Sequence, residues 1–112
     1  MSKEQRTNAD GTRTPSQDIG LREFQQWIDA IYGEKDRDRG LHGTYMWFAE
    51  EIGELTRALR RQDDPDNLKE EFADVLAWLS TLASIAGIDL QEAVHYKYGT
   101  GCPYCSAVPC QC

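Results

Sequence analysis

Two stretches of helical periodicity meet at Gln62-Asp63-Asp64-Pro65, and that junction constrains the fold more than any other feature of the chain. Before it, Phe48, Ile52, Leu55 and Leu59 recur at three- and four-residue intervals, which puts them on one face of a helix. Beyond it, Leu68, Phe72, Val75, Leu76, Leu79 and Leu82 do the same. Thr44 is a predicted N-cap for the first of these helices, which runs to about Arg61. Arg57, Arg60 and Arg61 suit the negative pole at its end. Asp64 caps the next helix with Pro65 in its first turn, and Gly87 stops it after Ala86. A link this short favours an antiparallel hairpin.

The flanks add two further helices. Leu21, Phe24, Ile28 and Ile31, with Trp27 beside them, predict a helix ending near Gly33, and the charged stretch from Glu34 to Gly43 reads as a loop. Asp89 and Glu92 form a capping-box-like start for a last helix through about Tyr98. There is no strand signal and no solenoid repeat, so the fold class is all-α. Residues 1–18 are polar and aperiodic and are expected to be disordered, 19–98 form the domain, and 99–112 are a Cys-rich tail. A hairpin with flanking helices makes a thin core for about eighty ordered residues. A homodimer or higher oligomer, completing a four-helix bundle, is the expected remedy.

The hairpin carries two carboxylate doublets. Glu51 and Glu54 stand three apart, preceded by Glu50, and Glu71 and Asp74 repeat the spacing on the second helix. Residues three apart share a helix face. Such doublets are ordinary on solvated helices, and the nearby arginines offer them partners. These acids, however, abut the apolar stripe, and they lie at similar heights on the two helices. At ~1.5 Å per residue, Glu51 to Arg61 covers roughly 15 Å and Pro65 to Glu71 roughly 9 Å, a mismatch of about one turn. Four converging carboxylates need a cation among them, and Mg²⁺, hard and oxygen-seeking, is the natural one.

Composition narrows the partners. A net charge of −7 opposes binding of nucleic acid polymers through a basic surface, while leaving room for a phosphorylated small molecule whose metal ions neutralise the acids. No apolar run approaches the ~18 residues of a membrane span, and no signal-peptide pattern opens the chain, so a cytoplasmic protein with no membrane partner is expected.

The run Glu50-Glu51-x-x-Glu54, sixteen residues, then Glu71-x-x-Asp74 resembles the signature of MazG-type nucleotide pyrophosphohydrolases, members of the all-α nucleoside triphosphate pyrophosphatase superfamily. The resemblance runs from about Leu21 to Lys97 and takes in Asp74-Val75-Leu76-Ala77-Trp78-Leu79 and Gly87-Ile88-Asp89-Leu90. It implies a MazG-like fold and hydrolysis of a nucleoside triphosphate to monophosphate and pyrophosphate, with a nucleotide-housecleaning role. By position it makes Glu51, Glu54, Glu71 and Asp74 ligands of Mg²⁺, for which Mn²⁺ is a substitute. Glu50 matches the first acid of the motif, and Glu54 is a candidate acceptor for the proton of the attacking water. Lys97 matches a basic, phosphate-holding position, although Tyr98-Gly99-Thr100-Gly101 lacks the polar residues that accompany it in the family. A solvated helix end is the other reading of Lys97. Among Trp27, Trp47 and Trp78, the family's base pocket favours Trp27 for stacking, against core packing for each. His42 and His95 have no partners at ligand spacing. Two other readings stay open: a phosphoribosyl-ATP pyrophosphatase-like enzyme, and a non-catalytic metal-binding helical module.

All four cysteines fall in the last eleven residues, as Cys102-Pro103-Tyr104-Cys105 and Cys110-Gln111-Cys112. A disulfide framework spreads through the fold it staples, and this clustering does not. Cys-x-x-Cys is a strong Zn²⁺ half-site and Cys-x-Cys a weaker one, so a structural Zn²⁺ is expected, its ligands from one chain or shared between chains. Free thiols on a flexible tail are the alternative.

Overall fold

The computed structural model describes residues 17–112, so all but the last two residues of the expected N-terminal disordered segment lie outside the described residues. Three helices form and no strand is present among the described residues: α1 Leu21–Arg61, α2 Pro65–Ile85 and α3 Leu90–Tyr98. None of them alone is long and apolar enough to cross a membrane. The fold is all-α, with α1 and α2 packed along each other and α3 set against the start of α1.

The expected loop between Glu34 and Gly43 does not form. Helix α1 continues through it, broken only at Gly40, where φ is +81° and ψ 176°. Only glycine takes that conformation without strain, so a single residue kinks α1 into arms 21–39 and 41–61. Charge there suggested a loop, yet the stretch is an amphipathic helix, with Glu34, Lys35, Arg37 and Asp38 exposed and one acid turned inward. Asp36 is 5% exposed, accepting from the Arg39 guanidinium (3.0 Å) and from the Thr81 hydroxyl of α2 (3.1 Å). Gly33, expected to end the helix, is instead buried within it, lining a small cavity with Thr81, Ser84 and Ile85. Thr44 is no N-cap either: fully buried, its hydroxyl donates back one turn to the Gly40 carbonyl (2.7 Å) and accepts from Arg39 (3.2 Å). Arg39 also lies 4.9 Å over the Trp78 ring, which stacks on Trp47 at 6.1 Å. The kink is thus braced by polar groups from both helices.

Other boundaries follow local chemistry. The Asp64 carboxylate accepts from the Asn67 amide (3.1 Å) and Pro65 opens α2. Helix α2 closes with Gly87 N–H on the Ser84 carbonyl and Ile88 N–H on the Ala83 carbonyl, the paired bonds of a Schellman ending. Asp89 caps α3 through the Glu92 amide and pairs with Arg22 of α1 at 2.6 Å, a contact that holds the Asp89 carboxyl below its ordinary range. Gln25, buried on α1, locks this corner: its amide donates to the Ser84 hydroxyl and the Ile88 carbonyl, and its oxygen accepts from the Leu90 amide.

The expected core face of the hairpin is only half covered. Ile28, Ala58 and Ala83 are the buried apolar residues among those described, whereas Ile52, Leu59, Phe72 and Leu79 are 39–53% exposed. Helix α1 turns toward α2 the neighbouring stripe of Thr44, Trp47, Glu51 and Ala58. The acid-bearing face is therefore the inner one.

Candidate metal centre

Glu51 and Glu54 face α2 from the second arm of α1, and Glu71 faces them from α2 with Asp74 exposed at the rim. The structure brings one carboxylate oxygen each of Glu51, Glu71 and Asp74 within 4.8 Å of one another. Glu51 and Glu71 are half-buried, and each has one oxygen, Oε2, shut off from solvent with no hydrogen-bond partner. Burying such an atom unpaired is unfavourable. Arg57, Arg60 and Arg61 do not relieve it. The ion pairs among the described residues are Arg22–Asp89, Arg37–Asp29 and Arg39–Asp36, none of them touching these acids.

The electrostatics follow from that placement. Desolvation, then the charges of Glu54, Asp74 and Glu71, raise Glu51 above the ordinary glutamate value, with Glu50 adding last. Desolvation, then Glu54, Asp74 and Glu70, do the same to Glu71, against a smaller lowering by its contact with the Glu51 carboxyl. Glu54, half-buried, stands beside the three and lines a cavity of about 550 Å³ with Glu71, Arg57, Arg61 and Asn67. Glu50 is exposed on the next face of the helix. Like charges gathered around buried, unpaired oxygens are what an oxygen-seeking dication relieves, and the donor set of carboxylates alone fits Mg²⁺ or Mn²⁺.

The model of the MazG nucleotide pyrophosphohydrolase domain matches residues 39–106, more than half of the chain. The chain belongs to the MazG family. The match begins one residue before the Gly40 kink, spans the acid-bearing hairpin and α3, and ends just past Cys105. The first arm of α1 lies outside it. A search of curated proteins finds no match.

Beside the MazG acids, on the side away from the 550 Å³ cavity, a second one of about 510 Å³ opens between the first arm of α1 and α2. Asp74 is at its edge, and Phe24, Ile28, Tyr32 and Trp78 give it apolar walls. Trp27, the aromatic favoured for stacking by the family resemblance, is half-buried on α1 and does not line this groove; Trp78 does. Lys97 is exposed in the last turn of α3, its ammonium 5.6 Å over the Tyr98 ring, and it lines neither cavity. Arg57, Arg61 and Asn67 received no site role from the sequence. The signal was there, since Arg57 and Arg61 continue the face of Glu54 at intervals of three and four.

A second cluster lies in the tail. The sulfurs of Cys102, Cys105, Cys110 and Cys112 all fall within 4.8 Å of one another. Backbone amides of Gln111 and Ala107 hold the Cys105 thiol down at about 6, and those of Tyr104 and Cys105 lower Cys102. The sulfurs of Cys110, Cys102 and Cys105 push Cys112 up to about 11.

Proposed function

We propose that this MazG-family chain is a Mg²⁺-dependent nucleoside triphosphate pyrophosphohydrolase, releasing nucleoside monophosphate and pyrophosphate in a cytoplasmic housecleaning role. The observation that carries the reading is the convergence of Glu51, Glu71 and Asp74 with two buried, unpaired oxygens inside the family-matched segment. These three residues would hold Mg²⁺, with Mn²⁺ as a substitute. When bound, the ion supplies Lewis-acid polarisation of a phosphoryl oxygen and a more acidic water.

The chain's own groups divide the remaining work. Glu54, next to the three acids yet outside their tight cluster, would accept a proton from the attacking water. Arg57 and Arg61, on the walls of the cavity that Glu54 and Glu71 share, offset the negative charge of a triphosphate. Tyr32 lines the groove that Asp74 borders and is the ring there for a base to pack against, with Phe24, Ile28 and Trp78 as its apolar walls, so base and phosphates flank the acids. Glu50 tunes Glu51 by its charge.

The functional unit in this reading is a homodimer. Ile52, Leu59, Phe72 and Leu79 are 39–53% exposed and Met46 72% on the two long helices, an apolar surface that a second hairpin would cover.

The test is ³¹P NMR of reaction mixtures with a panel of NTPs and dNTPs, run with Glu51→Gln and Asp74→Asn beside the parent. Pyrophosphate and monophosphate from the parent alone support the proposal. Nucleoside diphosphate and orthophosphate would refute it, as would turnover undiminished in both variants.

A further inference from the structure

The tail after α3 contains no helix and no strand, yet it is tightly closed on itself. Ser106 N–H donates to the Cys102 carbonyl at 2.7 Å and Cys102 N–H to the Ala107 carbonyl at 3.1 Å, making a compact loop around Cys105. Gly101, at φ +118°, starts it where a Cβ would lie 2.9 Å from the Ser106 carbonyl. Ordering a loop costs conformational entropy that burial normally offsets. Here there is almost none: Tyr104 is 86% exposed and Val108 84% exposed. What the loop gathers is sulfur, with Cys102 half-buried and Cys105, Cys110 and Cys112 exposed.

The sulfurs have a specific arrangement. Cys102 Sγ stands 3.8 Å from Cys112 Sγ and 3.6 Å from Cys110 Sγ, and all four are free thiols mutually within 4.8 Å. With Zn–S bonds of ~2.3 Å, the edge of a ZnS₄ tetrahedron is about 3.8 Å. Backbone amides are directed at the sulfurs, Gln111 N–H on Cys105 and Cys112 N–H on Cys110, each at 3.4 Å. Amide donors of this kind stabilise the charge of coordinated thiolates. The weaker half-site, Cys-x-Cys, is brought to the Cys-x-x-Cys turn by the same chain.

We propose that Cys102, Cys105, Cys110 and Cys112 of a single chain close a structural tetrathiolate Zn²⁺ site that holds residues 99–112 in place. Binding replaces four S–H bonds by four Zn–S bonds and releases four protons to solvent. Four thiolates leave no coordination position open for substrate, so the site's role is to fix the tail. It is separate from the carboxylate centre and does not rest on the pyrophosphohydrolase reading.

The experiment is metal analysis of the full-length protein purified without added metal, with zinc-edge X-ray absorption and Co²⁺ substitution. The expected result is one zinc per chain in a shell of four sulfurs, and Co²⁺ that gives thiolate charge-transfer and intense tetrahedral bands. Cys102→Ser and Cys112→Ser should lose the zinc. Glu71→Gln, altered at the other centre, should keep it. Half an equivalent per chain with four sulfur ligands would overturn closure within one chain. Iron in place of zinc would overturn the metal assignment. Four freely titrating thiols that retain no zinc after chelator-free dialysis against it would overturn the site itself.

Discussion

Glu51 and Glu71 meet across the hairpin with the Oε2 atom of each buried and unpaired. Both carboxyls are held above the ordinary glutamate value of 4.5, first by desolvation and then by the surrounding acids. A carboxyl raised in the folded state binds its proton more tightly than in the unfolded one. Its contribution to stability is therefore greatest below the ordinary value and declines as pH rises through the window up to the raised one. Metal-free protein should lose stability from these groups on going from pH about 4 to 7, and Mg²⁺ should restore it. Urea unfolding at several pH values, with and without Mg²⁺, measures both effects.

Glu71→Gln removes one charge from that cluster. The metal-free variant should be at least as stable as the parent near pH 7, and its pH dependence flatter. Mg²⁺-dependent turnover should fall by about 100-fold or more, taking a lost ligand as costing ~3 kcal/mol of transition-state stabilisation. Thermal unfolding and initial rates, on the same preparations, check the two halves of this expectation.

Gln25→Leu tests the corner where α1 meets the α2–α3 turn. The change strips partners from the Leu90 amide, the Ile88 carbonyl and the Ser84 hydroxyl together. A cost of about 2–4 kcal/mol is expected, from one or two buried groups left unpaired. Denaturant unfolding measures it, and the loss should appear without any change in metal affinity.

Gly40→Ala addresses the kink. No atom lies within 4 Å of the position an added Cβ would take, so crowding is not the issue. The cost comes from φ +81° and ψ 176°, and should be about 1–3 kcal/mol. A stabilised variant would mean that α1 prefers to be straight, which calorimetry would register as a raised Tm.

Phe72→Glu probes the proposed dimer. Phe72 is 53% exposed on α2, where a charge costs an isolated chain little. Light scattering should give a dimeric parent and a variant shifted to monomer.

The sequence disclosed those parts of the fold that are set within a few residues. Asp64-Pro65, the stop at Gly87 and the Asp89 cap each act on backbone groups three to five residues away, and each stands where it was read. The helix through residues 34–43 was not legible, because Asp36 is made tolerable inside by Thr81, forty-five residues further on. Nor was the rotation of α1. Hydrophobic periodicity placed Ile52 and Leu59 against α2, yet they are 40–41% exposed, whereas Thr44 and Ala58 on the acids' side are buried. The periodicity marks a face to be covered without saying by what. For the acids, three-residue spacing on facing helices was enough to bring Glu51, Glu71 and Asp74 together, while Glu54, read with them, lies just outside the cluster. The preference for Trp27 over Trp78 came from resemblance, and the groove beside Asp74 is lined by Trp78.

Binding of a divalent cation by the acidic cluster is tested most directly by titration with Mn²⁺ followed by electron paramagnetic resonance. The free-ion signal should be suppressed stoichiometrically by the parent, restored by competing Mg²⁺, and left nearly undiminished by Glu51→Gln and Glu71→Gln. Equal Mn²⁺ binding by the parent and both variants would contradict the account.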